Sequence, residues 1–393
     1  MDLQAIQNAL QTHQLDGWLF YDFHNRDVVA YRILGLDFQR FRSRRWFYYI
    51  PARGEPLKLV SSVEKTSLDA LPGQRLVYLS WQQMHRGLKQ MLGDARRVAM
   101  HYSPMNNIPY VSLVDAGTVE VVRSLGYEPV SAADLIQEFE AVINEEGYRS
   151  HVKASQLVHT IKDEAFERIA MSIRHQKPMT EYDIQQFIER RFSEEGLTND
   201  GHSPIVGVND HPADPHFEPT PQNARVIRPG DTVLIDLWAR LNQPNSIYYD
   251  ITWCGFVGDQ PPAKYVEIFE VVKRARNAAR DLVVQRFQRG EPVFGWEVDK
   301  AAREVVEHAG YGDYFIHRTG HSIGVEVHGN GVNMDNLETK DERRLIPGIC
   351  FSIEPGIYIE GEMAVRSEIN VFITLDGRVE IHGPQQEELI RIG

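Results

Sequence analysis

Four carboxylates and one histidine lie in apolar stretches of the second half of the chain, each beside a strand-like segment. They are Asp236, Asp250, His321, Glu354 and Glu368. An ionised carboxylate inside an apolar strand is costly unless a cation compensates its charge. Carboxylate oxygens with one imidazole and no cysteine form a hard ligand set that suits two divalent ions, Mn²⁺ first, with Co²⁺ or Zn²⁺ as alternatives. The residue types therefore predict a two-metal centre.

Each of these residues also has an ordinary structural explanation when it is taken singly. A lone buried carboxylate is more often hydrogen-bonded or ion-paired, and a lone histidine is more often a satisfied core or surface group. The glycines beside His321 can simply permit a turn. Five such positions, each at the start or end of an apolar strand, are poorly explained as unrelated structural residues, so the set as a whole favours the metal centre.

Short apolar strands are expected to position these side chains. Asp236 and Asp250 flank a stretch whose apolar ends read as two strands and whose middle, residues 242–246, supplies turn chemistry. The pattern predicts a hairpin with a carboxylate near the end of one strand and another at the start of the next. Further along, Arg366 and Glu368 alternate on one strand and therefore share a face.

The composition is that of an ordinary globular protein. The chain has 393 residues, 42% of them hydrophobic and 25% charged, which suggests two domains, or three, around a large core. A formal net charge of −13 argues against nucleic acid and anionic membranes as partners. Cys254 and Cys350 are the only cysteines, and neither a signal peptide nor a membrane-spanning segment is recognisable. A reducing, cytoplasmic location is therefore expected.

The N-terminal part, to about residue 150, alternates strand-like and helix-like segments and predicts one α/β sheet. It has no dense acidic or histidine cluster, so we expect it to support the catalytic part. Residues 155–197 then read as helical, with a capping box that begins at Thr180, and two long helices follow at about 263–289 and 296–308. A domain boundary is expected within a helix at about residue 155.

An arginine-rich segment stands out in this acidic chain. Arg40, Arg42, Arg44 and Arg45 lie close together among aromatic residues. One interpretation is a solvated edge strand that uses charge to prevent sheet-to-sheet aggregation. The other is that the arginines meet an acidic surface or a substrate carboxylate, including one across a subunit interface.

The motifs of the second half resemble those of the pita-bread metallopeptidases, which include aminopeptidase P, prolidase (Xaa-Pro dipeptidase) and methionine aminopeptidase. The resemblance covers about residues 155–390. The N-terminal part is similar to the accessory domain of the proline-specific members and of creatinase. The matching runs, in the family's order, are Asp236, Asp250-Ile-Thr, Thr-Gly-His321-Ser-Ile-Gly with Val-His328, Ile-Glu354-Pro-Gly-Ile-Tyr and Val-Arg366-Ser-Glu368.

This resemblance implies a fold in two parts. Residues 1–155 would form an α/β N-terminal accessory domain, and residues 156–393 would form the α+β pita-bread (creatinase/aminopeptidase) catalytic domain.

The resemblance also implies a role for each matching residue. Asp236 would be a terminal ligand of one metal, and Asp250 and Glu368 would bridge the two metals. His321 and Glu354 would complete the ligands of the second metal. Glu354 would also be the general base toward the attacking water.

Four further residues match positions that support the reaction in the family. His216 and His328 would hydrogen-bond the substrate or the tetrahedral intermediate, with a structural role as the alternative for each. His317 and Arg366 would contact and orient the metal ligands without binding the metals themselves. For Arg366 we expect pairing with a ligand carboxylate, and for His317 a structural role is equally well founded.

Three departures from the family pattern bear on function. The stretch from Asp236 to Asp250 is longer than usual, which still leaves the two strands free to pair. Trp253 replaces an arginine that commonly follows the second Asp-Ile-Thr. His328-Gly-Asn-Gly stands where many relatives have His-Glu-Gly-Pro and sometimes a nearby arginine that meets the substrate's carboxylate. The last change leaves open how a free substrate carboxylate is recognised.

The resemblance implies hydrolysis of an Xaa-Pro peptide bond by a homodimeric enzyme. The accessory domain favours proline specificity, and a bond to proline needs a dedicated site because its nitrogen carries no N–H. Dipeptides are the expected substrates (prolidase activity), with Xaa-Pro aminopeptidase activity on longer peptides as the alternative. A metal-free, creatinase-like amidinohydrolase or a non-catalytic binding protein would require lost ligands, and all five ligand residues are present.

Overall fold

The computed structural model describes all 393 residues and divides the chain into two compact units, residues 1–140 and 141–393. The second unit begins just before a long helix, Glu145–Arg174, whose buried face packs into the core of that unit. The boundary expected at about residue 155 therefore falls inside this helix. The division comes earlier in the chain because the whole helix, and not only its second half, contributes to the second core.

The first unit is built on one mixed sheet. Its strands are β1 (Gly17–Asp22), β2 (Trp46–Pro51), β3 (Leu57–Ser61), β4 (Gln74–Tyr78), β5 (Arg97–Met100) and β6 (Glu128–Ser131). The spatial order is β4-β3-β2-β1-β5-β6, with β1–β2 and β2–β3 antiparallel and the other neighbours parallel. Its helices are α1 (Leu3–Thr12), α2 (Val28–Leu34), α3 (Trp81–Leu92), α4 (Ala116–Ser124) and α5 (Ala133–Ile136).

Side chains on both faces of this sheet are buried. Trp18 and Trp46 belong to one hydrophobic core, whereas their chain neighbours Leu19 and Phe47 belong to the core on the opposite face. Strands buried on both faces read as continuous apolar runs, which is how β1 and β2 appear in the sequence. The expected α/β organisation of this part is confirmed.

The arginine-rich segment is a loop before β2, and β2 is an interior strand between β1 and β3. Arg42 is buried, and its guanidinium donates to the carbonyl oxygens of Ser67, Asp37 and Arg40 at 3.0–3.1 Å. The edge-strand interpretation is therefore wrong. Arg42 instead supplies hydrogen bonds to loop carbonyls that no neighbouring strand satisfies.

The second unit contains four helices and three sheets. The helices are α6 (Glu145–Arg174), α7 (Glu181–Glu194), α8 (Ala263–Gln288) and α9 (Gly295–His308). The strands are β7 (Leu197–Thr198), β8 (Ile205–Val208), β9 (Thr232–Leu241), β10 (Tyr249–Val257), β11 (Ser322–Ile323), β12 (Cys350–Ile353), β13 (Gly356–Ile359), β14 (Met363–Arg366), β15 (Ile369–Ile373), β16 (Val379–Ile381) and β17 (Ile390–Ile392). The sheets run β17-β10-β9-β7 with β8 also on β9, β11-β12-β15-β16, and β13-β14.

Signals in the sequence set the ends of these helices. The α7 helix begins with the capping box of Thr180 and Asp183, in which each side chain bonds the other residue's backbone N–H. Gly290 and Gly310 follow the ends of α8 and α9 with φ of +67° and +83°, a conformation that glycine adopts without strain. None of the helices combines the length and the apolar character that crossing a membrane requires.

Candidate metal centre

Asp250, His321 and Glu368 form a buried cluster whose ligand atoms all lie within 4.8 Å of one another. Glu354 adjoins this cluster, because His321 Nε2 lies 3.2 Å from Glu354 Oε1 and 3.7 Å from Asp250 Oδ2. Four of the five predicted ligand residues thus come from separate segments of the chain to one place. The centre is built by the fold and not by a single local motif.

The β9–β10 hairpin brings in the fifth residue. Asp236 pairs with Thr252 across the antiparallel ladder, and Asp250 precedes Thr252 by two positions, so these side chains share one face of the sheet. Thr252 Oγ1 lies 3.0 Å from Asp236 Oδ1 and 2.8 Å from Glu368 Oε2. Asp236 is thereby joined to the cluster through a threonine hydroxyl.

The β12–β15 pair positions the two glutamates. The residue before Glu354 stands opposite the residue after Glu368 in this antiparallel ladder, so both glutamates leave the sheet at the same end. Ser352 Oγ accepts the backbone N–H of His321 at 2.9 Å and donates to Glu354 Oε1 at 3.0 Å. One serine therefore fixes a histidine and a carboxylate together.

The buried carboxylates repel one another in the protein alone. Burial raises the pKa of Asp250 and of Glu368 well above the ordinary carboxyl range, and neighbouring carboxylates raise both further. Burial also raises the pKa of Asp236, which the Arg366 guanidinium opposes. Asp250 Oδ1 and Glu368 Oε1 are buried without any hydrogen-bond partner. Such oxygens are costly unless a cation or a proton meets them, so the donor set fits a site for divalent metal ions.

His321 presents a free nitrogen to the cluster. Burial lowers the pKa of His321 to about 3, so the ring is neutral at physiological pH. Its Nδ1 lies 3.2 Å from the carbonyl oxygen of Ser322, which can only accept, so Nδ1 carries the hydrogen. Nε2 then directs its lone pair toward the carboxylates, which is the tautomer that a metal ligand requires.

Arg366 organises the polar groups behind Asp236. Its Nη2 bonds the Asp236 carboxylate, its Nε donates to Thr252 Oγ1 at 2.9 Å, and its Nη1 donates to the Tyr358 hydroxyl at 3.2 Å. The Tyr358 hydroxyl in turn lies 2.7 Å from His317 Nε2. Because His317 Nδ1 faces the carbonyl of Arg318 at 2.6 Å and must donate there, Nε2 accepts from Tyr358. Asp236, Arg366, Tyr358 and His317 therefore form one directed chain.

His328 and His216 occupy the solvent side. The His328 ring packs edge-on against His321, with ring centroids 4.3 Å apart. The pKa of His328 is lowered, first by the adjacent His321, then by burial and then by the Arg318 guanidinium. His216 itself is exposed, and no hydrogen bond or ion pair joins it to the five cluster residues; its backbone N–H donates to Asp214 Oδ1 at 3.0 Å.

Four residues without a predicted role take part in this arrangement. Thr252, Ser352 and Tyr358 contribute the hydroxyls described above. Asn370 accepts the Asp250 backbone N–H at 2.9 Å and donates to the Asp250 carbonyl at 2.6 Å. All four lie in or directly beside the strands that carry the clustered residues. A polar side chain inside an otherwise apolar strand is the signal that could have identified them.

The two units and the buried carboxylate–histidine cluster define a metallopeptidase of the pita-bread type. A model of metallopeptidase family M24 matches residues 153–375, and the chain belongs to this family. The match begins inside α6 and ends just after β15, so it spans all five cluster residues. The expected pita-bread fold and membership of a metallopeptidase family are confirmed.

Sequence relatives match most of the chain. The chain is 28% identical over 351 residues to a protein named probable dipeptidase PepE from Mycobacterium tuberculosis, covering 87% of this chain and 84% of the relative. It is 32% identical over 260 residues to an Xaa-Pro dipeptidase from Pyrococcus furiosus, covering 65% and 67% of the two chains.

Solved structures match the chain over nearly its full length. The dipeptidase PepE from Mycobacterium ulcerans superposes with a TM-score of 0.67 at 25% identity, over 99% of this chain and 96% of the other. A prolidase from Thermococcus sibiricus, at 23% identity, gives a TM-score of 0.62 over 100% and 99%. At 23% identity, the second structure supports only the similarity of the fold. Both units of the chain therefore have counterparts in the solved structures.

Proposed function

We propose that this chain is a two-metal peptidase that hydrolyses the Xaa-Pro bond and prefers dipeptides. The observation that carries the proposal is the pair of buried carboxylate oxygens without donors, Asp250 Oδ1 and Glu368 Oε1, beside a neutral His321. The Xaa-Pro dipeptidase named among the relatives supports the choice of bond, and the probable dipeptidase supports the length of substrate.

The proposed metal ligands are the five clustered residues. Asp236, Asp250 and Glu368 would hold one ion, and His321 and Glu354 would join Asp250 and Glu368 in holding the second. Mn²⁺ is the proposed ion, with Co²⁺ and Zn²⁺ as alternatives of similar ligand preference. When bound, the two ions neutralise the carboxylates and make a water molecule nucleophilic at neutral pH.

The protein's own groups would carry the proton transfers and the charge. Ser352 holds Glu354 Oε1, which leaves Oε2 to take a proton from the attacking water. The prolyl nitrogen has no hydrogen and leaves as an amine only after protonation, so Glu354 passes the proton to it. His328 and His216 donate hydrogen bonds to the substrate as its carbonyl oxygen gains charge.

Oligomeric state and location belong to the same proposal. A homodimer is proposed on the family resemblance, with residues 1–140 in the accessory role. A cytoplasmic location is proposed because Cys254 and Cys350 are both buried and unpaired, as in a reducing compartment.

The test is a substrate comparison with added metal. The purified chain is incubated with Mn²⁺, Co²⁺ or Zn²⁺ and with Ala-Pro, Ala-Pro-Ala or Ala-Ala, and released amino acids are measured. The proposal expects cleavage of Ala-Pro above the other two peptides and two bound ions per chain by elemental analysis. Cleavage of the tripeptide alone would make the enzyme an Xaa-Pro aminopeptidase. Absence of both cleavage and bound metal would overturn the proposal in favour of a metal-free relative.

A further inference from the structure

The segment between β8 and β9 carries the proposed substrate-side residue His216 but has little regular structure of its own. It contains one helical turn, His211–Ala213, and no strand pairs with it between there and Ala224. His216 is exposed, and its backbone N–H donates to Asp214 Oδ1 at 3.0 Å. The helical turn packs against β13 and β14, but His216 lies beyond that turn, so its side chain needs further support if it is to be held in one place.

The carboxylate of Glu181, the first residue of α7, contacts both ends of this segment. The side chain is fully buried. Its Oε1 accepts the backbone N–H of Val208 at 2.7 Å, its Oε2 accepts the backbone N–H of Arg225 at 2.7 Å, and both oxygens lie 2.9 Å from His211 Nδ1. One carboxylate therefore holds the residue before the segment, a residue at its start and a residue at its end.

Helix capping does not explain this arrangement. Thr180 and Asp183 already close the capping box of α7, and the Glu181 side chain points away from the helix toward three donors outside it. A second link joins the same two ends, because the Arg225 guanidinium pairs with Asp210. The segment is thus a closed loop whose two ends meet at Glu181.

The link from Glu181 to His216 passes through two aromatic rings. Glu181 holds the imidazole of His211, and the Phe217 ring lies against that imidazole with centroids 4.2 Å apart. Phe217 is the neighbour of His216 in the chain. The ring contact therefore connects Glu181, through His211, to the chain neighbour of His216.

We infer that Glu181 is a positioning residue for His216, acting through the tether to Val208, His211 and Arg225 and not through contact with substrate. This inference rests on the proposed function only in assigning His216 to the substrate. A carboxylate is required because three donors converge on it, and the amide of a glutamine would turn an N–H toward one of them. Glu189 supplies a matched control: it lies on the same helix and accepts from Ser203 at 2.5 Å, outside the tethered segment.

The first test measures the tether in metal-free protein by hydrogen exchange. Glu181→Gln should speed exchange of at least one of the Val208 and Arg225 amides about tenfold or more, because glutamine offers one acceptor oxygen where the carboxylate offers two. Glu189→Gln should leave both amides at the wild-type rate. Wild-type exchange at both amides in Glu181→Gln would overturn the inference, and this result does not depend on any activity.

The second test is a double-mutant cycle in the metal-loaded enzyme. Glu181→Gln should lower kcat about tenfold while KM and metal content stay within twofold of wild type. Adding Glu181→Gln to His216→Ala should then lower kcat by less than twofold, since residues that act as one unit are not additive. A full tenfold loss on top of His216→Ala would overturn the inference. If wild type cleaves no Xaa-Pro peptide, the proposed function fails and the exchange test still decides the tether.

A pair of His211 variants covers the case in which Glu181→Gln does not fold. His211→Asn keeps an N–H donor toward Glu181 but removes the ring that lies against Phe217, whereas His211→Phe keeps a ring and removes the donor; the side chain is partly exposed, so both changes are tolerable. Because the link to His216 needs both the hydrogen bond and the ring contact, the inference expects each variant to lower kcat about tenfold. Wild-type kcat in either variant would contradict it.

Discussion

Thr252 stands directly opposite Asp236 in the β9–β10 ladder, and its hydroxyl lies 3.0 Å from Asp236 Oδ1 and 2.8 Å from Glu368 Oε2. Arg366 Nε donates to the same hydroxyl at 2.9 Å. The threonine oxygen thus connects two carboxylates from different sheets with the cation behind them. It orients both proposed ligands before any metal arrives.

Replacing this hydroxyl should weaken metal binding without disturbing the fold. Thr252→Val keeps the shape of a β-branched residue but removes the acceptor of the Arg366 Nε–H and the single hydroxyl hydrogen that lies between Asp236 and Glu368. We expect metal affinity to fall about 10- to 100-fold, the range for lost partners of ligands. Titration calorimetry with Mn²⁺ measures the change, and Thr252→Ser, which restores the hydroxyl, should recover most of it. Equal affinity in the valine variant and wild type would show that the hydroxyl does not orient the ligands.

Removing one clustered charge should stabilise the metal-free protein and abolish its response to metal. Because burial raises the pKa of Asp250 in the folded state, this carboxyl contributes stability only while protonated, and that contribution is lost as pH rises through the folded pKa. At neutral pH, Asp250→Asn should therefore raise the thermal midpoint in chelator, with a gain on the order of 1 kcal/mol.

The same variant should show no further rise in the thermal midpoint when Mn²⁺ is added, whereas wild type should show one. Asp259→Asn, at an exposed position, is the control and should behave as wild type in both conditions. A metal-induced rise in Asp250→Asn equal to that of wild type would remove Asp250 from the ligand set.

Tyr358 should matter for turnover and not for metal content. Its hydroxyl joins Arg366 to His317, and Tyr358→Phe cuts this link while preserving the buried ring. We expect kcat to fall about tenfold with two ions still bound, because the lost hydroxyl contacts Arg366 and His317 and is not itself a proposed metal ligand. Steady-state kinetics with elemental analysis separates the two effects, and Tyr314→Phe at an exposed position is the control. Joint loss of metal and activity would mean that the chain from Tyr358 holds Asp236 in place.

The sequence predicted those features that depend on local chemistry. Apolar runs, capping residues and terminal glycines set the strands and helices, including the Thr180 capping box and the ends of α8 and α9. The acidic hairpin was predictable because turn residues separate two apolar strands that each carry an aspartate. The family motifs then indicated the cluster, since each ligand lies in a short run of fixed type.

Contacts between distant segments could not be predicted in this way. Arg42 reads as one of four surface arginines until its bond to Ser67 is seen. Tyr358 reads as a strand residue, because its meeting with His317 depends on how a loop passes the β13–β14 hairpin. Glu181 reads as an ordinary acid of a first helical turn, yet its three partners lie 27 to 44 positions along the chain.

Two buried histidines behind the ligand hairpin should make stability depend on pH. Burial lowers the pKa of His151 to about 3, with a further contribution from His382, and lowers that of His159 to about 4, with a further contribution from Lys162. A histidine whose folded pKa is depressed stabilises the fold above its ordinary pKa of about 6.5, and this contribution is lost as pH falls toward the folded value. For each histidine, the free energy of unfolding should therefore fall by on the order of 1 kcal/mol when the pH is lowered from about 6.5 to about 5.5.

The raised pKa values of Asp250 and Glu368 change the free energy of unfolding in the opposite direction as pH falls. The difference between His159→Gln and wild type therefore isolates the contribution of the histidine. His159→Gln keeps a nitrogen near the Tyr249 hydroxyl, which His159 Nε2 meets at 2.9 Å, but cannot take up a proton. Urea unfolding of metal-free protein measures the free energy of unfolding at the two pH values. Between them, His159→Gln should lose about 1 kcal/mol less than wild type, and the exposed His175→Gln should lose as much as wild type. An equal loss in His159→Gln and wild type would mean that this histidine titrates in the folded protein much as it does in the unfolded chain.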